Sequence, residues 1–115
     1  MTNKIYLDAG HGGTDGGAGG NGLLEKNLTL SIVKKIQETL TKNYEDVQIK
    51  LSRTGDTYPT LSQRTNDANV WGADVLVSVH INANANTSAN GFETYIYNQS
   101  PSARTVSFQN MLHQE

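Results

Sequence analysis

Apolar residues recur along the 115-residue chain in two rhythms, one of period two and one close to four. Lys4-Ile5-Tyr6-Leu7 is short, apolar and β-prone. Residues 4–8 are therefore expected to form a first strand, buried on both faces. From Leu28 the rhythm changes. Leu28, Ile32, Val33, Ile36 and Leu40 share one helical face, predicting a helix over residues 27–41 capped by Asn27. Lys34, Lys35 and Lys42 toward its end suit the helix dipole. Val47, Ile49 and Leu51 alternate with Gln48, Lys50 and Ser52, which reads as a second strand with one wetter face. A second helix is expected from near Pro59-Thr60, because Thr60 and Gln63 have the spacing of a capping box. Leu61, Arg64, Thr65, Ala68 and Trp71 run along it, and Gly72 stops it. Residues 74–82 are almost unbroken in apolar character and predict a third strand, central and covered on both faces. Residues 91–97 alternate again and predict a fourth. The connection over residues 83–90 is too short for a helical crossover, so the fourth strand is expected to pair antiparallel. Residues 101–113 read as a third, loosely patterned helix.

The order β-α-β-α-β with right-handed crossovers predicts an α/β fold. It is a three-layer sandwich with a mostly parallel sheet flanked by helices and an antiparallel fourth strand. At this length one domain is expected, large enough to bury a core without staples. The chain has no cysteine, so it has neither disulfides nor thiolate metal sites, and any metal must be held by His, Asp or Glu. The formal charge is −2 with the basic residues scattered, which argues against a nucleic-acid partner. No apolar run approaches a membrane span, and the N-terminus lacks the pattern of a signal peptide.

Seven of the eleven glycines lie between Gly10 and Gly20. Residues 10–24 therefore read as one long, backbone-rich loop. It does not match G-x-x-x-x-G-K-[ST], nor a G-x-G-x-x-G that opens directly into a helix, so a phosphate cradle is the weaker reading. Long loops in compact domains are often functional, which suits the wall of a site. His11 follows the first strand and His80 ends the third. If those strands are neighbours, their axes lie about 4.8 Å apart and both histidines stand at one sheet edge. Ligands collect at that edge in open α/β sheets. Glu25, just ahead of the first helix, is delivered to the same edge by the chain path. Two imidazoles and one carboxylate make a hydrolytic zinc set, with a fourth position open to water.

A set of motifs now becomes specific. They are Asp8-Ala9-Gly10-His11-Gly12-Gly13 with Asp15 and Gly17, Glu25-Lys26-Asn27-Leu28, Leu51-Ser52-Arg53-Thr54, and Leu61 with Arg64 and Ala68-Asn69. Ala73-Asp74 through Ser78-Val79-His80-Ile81-Asn82-Ala83 and Gly91-Phe92-Glu93-Thr94-Tyr95 complete them. In this order, along nearly the whole chain, they resemble the type 3 family of zinc-dependent N-acetylmuramoyl-L-alanine amidases, the catalytic domains of bacterial autolysins and phage endolysins. The resemblance implies Zn2+ bound by His11, Glu25 and His80. It implies hydrolysis of the amide between the lactyl group of N-acetylmuramic acid and the L-alanine of the peptide stem. The implied partner is peptidoglycan, at the bacterial cell wall, with room for a flanking wall-binding domain. The alternatives are a zinc carboxypeptidase or deacetylase, or a zinc-containing module that binds peptidoglycan without cutting it.

The resemblance also implies a catalytic Glu on a late strand. Glu115 does not sit in a matching motif, so residues 1–115 are expected to be a C-terminally incomplete catalytic domain, slow on its own. Glu93, Asp8 and Glu115 are weak substitutes for that acid. His113, on a polar helix end, is not expected to bind metal. Asp15 reads as a loop-organising carboxylate rather than a fourth ligand. Arg53 and Arg64 either face the site and bind a muropeptide carboxylate or pair with Asp56, Asp67 or Asp74, the second reading being preferred. Trp71, Tyr95 and Tyr97 read as packing residues.

Overall fold

The computed structural model describes residues 2–20, 22–81, 106 and 109–111. The chain divides into two compact units, Met1–Ala83 and Asn84–Glu115. In the second, residues 106 and 109–111 are helical, as predicted for that stretch. The predicted fourth strand at residues 91–97 lies outside the described residues.

In the first unit, β1 (Asn3–Ala9) is the middle one of the three parallel strands among the described residues. β4 (Val47–Leu51) pairs on one side, running from Asn3↔Val47 to Leu7↔Leu51. β5 (Val75–Val79) pairs on the other, from Ile5↔Val75 to Ala9↔Val79. Among the described residues the strand order is β4-β1-β5. The expected central place of the third strand turns on residues 91–97, which lie outside the described residues. Lys4 and Asp8 punctuate the apolar run of β1.

Ile5, Leu7 and Ala9 point to one face, where register aligns them with Ile49, Leu51, Val77 and Val79. Helix α1 (Glu25–Asn43) covers that face with Leu30, Val33 and Ile36. On the opposite face Tyr6 and Asp8 meet α2 (Leu61–Trp71). The Tyr6 hydroxyl donates to Asp67 at 2.8 Å, and Lys50 binds the same carboxylate at 2.9 Å. Burial, and then the Asp67 carboxylate, push the Tyr6 phenol well above its ordinary pKa, so it stays a donor. Two helices on opposite faces of a parallel sheet make the three layers that the sequence predicted.

The glycine-rich segment is not one plain loop. It contains a small antiparallel pair, β2 (Gly19–Gly20) and β3 (Leu23–Leu24), and a tight Gly12–Asp15 bridge. Helix α1 also begins two residues earlier than predicted. Its cap position is Leu24, with no side-chain cap, and Asn27 lies inside the first turn. The reason is backbone chemistry. The Glu25 N–H donates to the Ala18 carbonyl at 2.8 Å and the Lys26 N–H to the Gly16 carbonyl at 3.1 Å. The glycine segment thus satisfies helix-end donors that a side chain would otherwise cap.

Helix α2 follows its sequence signals closely. Thr60 accepts from the Gln63 amide at 3.1 Å, and the Gln63 side chain accepts from the Thr60 amide at 2.7 Å. Gly72 ends the helix at φ 84°, in the left-handed region. Replacing Thr60 with Ala removes one half of the capping box and is expected to cost about 1 kcal/mol. Thermal unfolding followed by circular dichroism should show a melting temperature lower by roughly 4–8 °C. An unchanged melting temperature would mean that the cap contributes nothing.

Candidate metal centre

β1 ends at Ala9 and the chain turns at once. His11 has φ 65°, the one non-glycine residue in the left-handed region among those described. Such backbone costs on the order of 1–3 kcal/mol and tends to persist at functional sites. The β1–β5 register places Val79 opposite Ala9, and the Gly10 amide donates to the Val79 carbonyl at 3.0 Å. His80 therefore stands directly beside Gly10 and His11. Glu25, buried at 4% exposure, enters from the first turn of α1.

The three side chains converge. His11 Nε2 lies 2.9 Å from Glu25 Oε2, His80 Nδ1 lies 3.2 Å from the same oxygen, and the two ring nitrogens are 3.3 Å apart. Ligands about 2.0–2.1 Å from a tetrahedral ion are separated from one another by about 3.3–3.4 Å. The cluster therefore has the size and donor chemistry of three corners of such a site, and could hold one metal ion. Asp15 Oδ2 lies 2.8 Å from His11 Nδ1. With its ring proton donated there, His11 presents the Nε2 lone pair to the cluster, an arrangement common behind metal-binding histidines. Asp15 also accepts from the Gly17 amide at 3.2 Å, so it organises the loop and orients His11 at once.

Glu25 is held from both sides. Oε1 accepts from the Ala18 amide and Oε2 from the Ile81 amide, each at 2.9 Å. Burial alone would raise its pKa. Those two amides, with His11 and His80, outweigh burial and hold the carboxyl below its ordinary range. Glycine is required beside it. A Cβ on Gly10 would sit 2.6 Å from the His80 ring, and one on Gly17 (φ 70°) would sit 2.6 Å from the His11 ring and 2.7 Å from Glu25.

Below the cluster lie two buried arginines. Arg64 donates to Asp8 Oδ1 at 2.6 Å, to the His11 carbonyl at 2.7 Å, to the Pro59 carbonyl at 2.8 Å and to the Ala9 carbonyl. Arg53 donates to the carbonyls of Ala9, Gly10, Lys26 and Gly55 and to the Thr29 hydroxyl. Neither sequence alternative for these residues holds. Both are buried against main chain, and neither makes an ion-pair contact with Asp56, Asp67 or Asp74, although Arg53 and Asp56 feel each other's charge. Those acids bind Lys26 at 3.0 Å, Lys50 at 2.9 Å and the Lys4 amide at 2.8 Å. The buried Asp8–Arg64 pair is the feature that residue patterns missed. Its signal was available: a carboxylate on a strand buried on both faces requires a cation. Trp71 packs against Tyr6, with ring centroids 6.5 Å apart. Glu93, Tyr95, Tyr97, His113 and Glu115 lie outside the described residues.

The sequence pattern of the N-acetylmuramoyl-L-alanine amidase family matches residues 5–115. The chain belongs to that family. It is 50% identical over 112 residues to the sporulation-specific N-acetylmuramoyl-L-alanine amidase of Bacillus subtilis (strain 168), covering 97% of this chain and 42% of that protein. It is 47% identical over 114 residues to the endolysin of Bacillus phage SPP1, covering 98% of this chain and 41% of that protein. The chain thus spans under half the length of these relatives. Among solved structures, the catalytic domain of CwlV, an N-acetylmuramoyl-L-alanine amidase from Bacillus (Paenibacillus) polymyxa var. colistinus, superposes with a TM-score of 0.88. That match is at 34% identity and covers 98% of this chain and 62% of that one. The amidase fold and the three-layer reading therefore agree.

Gly17→Ala is expected to push the His11 ring and Glu25 apart and weaken divalent-metal binding roughly 10–100-fold, the usual range for displacing a ligand's supports. Calorimetric titration, with circular dichroism to verify the helices, measures it. Undiminished affinity would show that the close approach is unimportant.

Acid should unfold the protein through Asp8. Burial alone would raise its pKa, but the hydrogen bonds from Arg64, Ser78 and Ser52 outweigh burial and hold it low. A carboxyl lowered on folding contributes stability above its unfolded pKa of about 3.9, and that stability is lost as pH falls through the folded value. Urea titrations from pH 7 downward should show stability falling from about pH 5. Asp8→Asn should be less stable at pH 7, with a shallower fall. Equal slopes would exclude Asp8 as the source.

Proposed function

We propose that this chain is the zinc-binding catalytic part of a cell-wall amidase, with His11, Glu25 and His80 as the ligands. The bond cut is the amide between N-acetylmuramic acid and L-alanine in peptidoglycan. The observation that carries the reading is the convergence of three donor atoms, from a strand end, a helix start and a second strand end, within 3.3 Å of one another. Family membership and the names of the relatives support the same substrate. The phage endolysin among those relatives favours action at the bacterial wall.

Zinc bound there would polarise the amide carbonyl and make a water acidic enough to attack near neutral pH. The chain's own residues prepare that chemistry. Asp15 fixes the tautomer and direction of His11. The Ala18 and Ile81 amides fix the Glu25 carboxylate and keep it ionised. With Glu25 and Asp15 both engaged, proton delivery to the leaving amine falls to another group.

The test is product analysis on purified muropeptides with the zinc-loaded chain. New N-terminal L-alanine supports the amidase. Acetate release points to a deacetylase, and retention on sacculi without new amines points to a binding module. His80→Ala removes a ligand outright. It should lower zinc affinity by more than the roughly 10–100-fold typical of changes behind the ligands, and elemental analysis after dialysis reads the loss. Full zinc content in a folded His80→Ala variant would overturn the ligand assignment.

A further inference from the structure

We propose that Arg64 and Arg53 are positioning residues for the metal centre, acting through the backbone of His11 and not through its ring. The argument starts from the two dihedrals of residue 11. The orientation of the peptide plane before it sets φ, and that of the plane after it sets ψ. The Gly10 carbonyl, which belongs to the preceding plane, accepts from the Thr29 hydroxyl at 2.8 Å and from Arg53 Nη2 at 3.1 Å. The His11 carbonyl, in the following plane, accepts from Arg64 Nη2 at 2.7 Å. One guanidinium therefore steadies each plane, and together they hold His11 at φ 65°, a conformation uncommon for any residue but glycine.

The arginines are themselves held from outside the loop. Arg64 is anchored by Asp8 on β1 and by the Pro59 carbonyl, and Arg53 by the Lys26 and Gly55 carbonyls. Arg53 has no carboxylate within hydrogen-bonding distance among the described residues; its partners are carbonyls and one hydroxyl. A cation is thus buried to hold main chain. The planar fork matters here. Arg64 reaches the Ala9 and His11 carbonyls from its two terminal nitrogens, and a lysine ammonium cannot span both while keeping Asp8. Loss of the fork frees the peptide plane after His11, and Nε2 is no longer aimed at Glu25 and His80.

The inference rests on the metal reading above, and the experiment separates the two. Zinc affinity of the full chain is measured by competition with a chromophoric chelator, well below the melting temperature of every variant. The variants are Arg64→Lys, Arg64→Ala and a core control, Ile49→Ala, which loosens the sheet without touching the loop. Arg64→Lys is expected to weaken zinc binding roughly 10–100-fold, whereas Ile49→Ala leaves it unchanged. Millimolar guanidinium chloride is expected to restore part of the affinity of Arg64→Ala, and sodium chloride at equal ionic strength is not. Where the Arg64 variants fail to fold, Arg53→Lys makes the same test on the preceding plane, with the same expected loss. Wild-type affinity in a folded arginine variant, or an equal loss in Ile49→Ala, overturns the positioning role and leaves the metal centre standing. A wild-type chain that binds no zinc overturns the metal centre and this inference with it.

Discussion

A carboxylate buried near the end of β1 organises the first unit of this molecule. Asp8 is buried in β1, where an unpaired charge would cost several kcal/mol. Its partner Arg64 comes from α2, so the ion pair ties that helix to the sheet. Asp8 also accepts from Ser78 on β5, which links the two strands that carry the histidines. The guanidinium has more donors than Asp8 can use. The remainder go to main-chain carbonyls where β1 becomes loop, and an electrostatic requirement of the sheet becomes the support of the site.

The glycine segment has a second, quieter task. Its carbonyls cap α1, its amides orient Glu25 and Asp15, and at Gly10 and Gly17 it leaves room that a methyl group would fill. Lys26, one residue into α1, donates to the Gly13 carbonyl at 2.9 Å, and Asp56 accepts from the Gly13 amide at 2.8 Å. The segment is therefore also fastened at Gly13, though it contains little side-chain substance of its own. Cap, ligand support and clearance are three demands on the same backbone, and glycine meets them together.

The donor cluster gains its geometry from parts that are individually rigid. Two parallel strands fix the separation of the histidines, and a helix start fixes the glutamate. The left-handed conformation at His11 belongs with this, because hydrogen bonds hold the peptide planes on both sides of it. Such pre-arrangement lowers the entropy lost when a ligand binds. The His80 side of the cluster is half exposed.

Much of this was legible in residue patterns. The strand and helix rhythms, the Thr60–Gln63 cap and the Gly72 stop are local, and local chemistry decided them. The convergence of His11, Glu25 and His80 also followed from the sequence, because parallel strands with right-handed crossovers bring their carboxyl ends to one edge. The start of α1 and the partners of Arg53 and Arg64 were decided only by tertiary structure. The α1 start depends on carbonyls of a glycine loop that has no periodicity to read. The arginines bind peptide carbonyls, which every residue carries and no sequence pattern distinguishes.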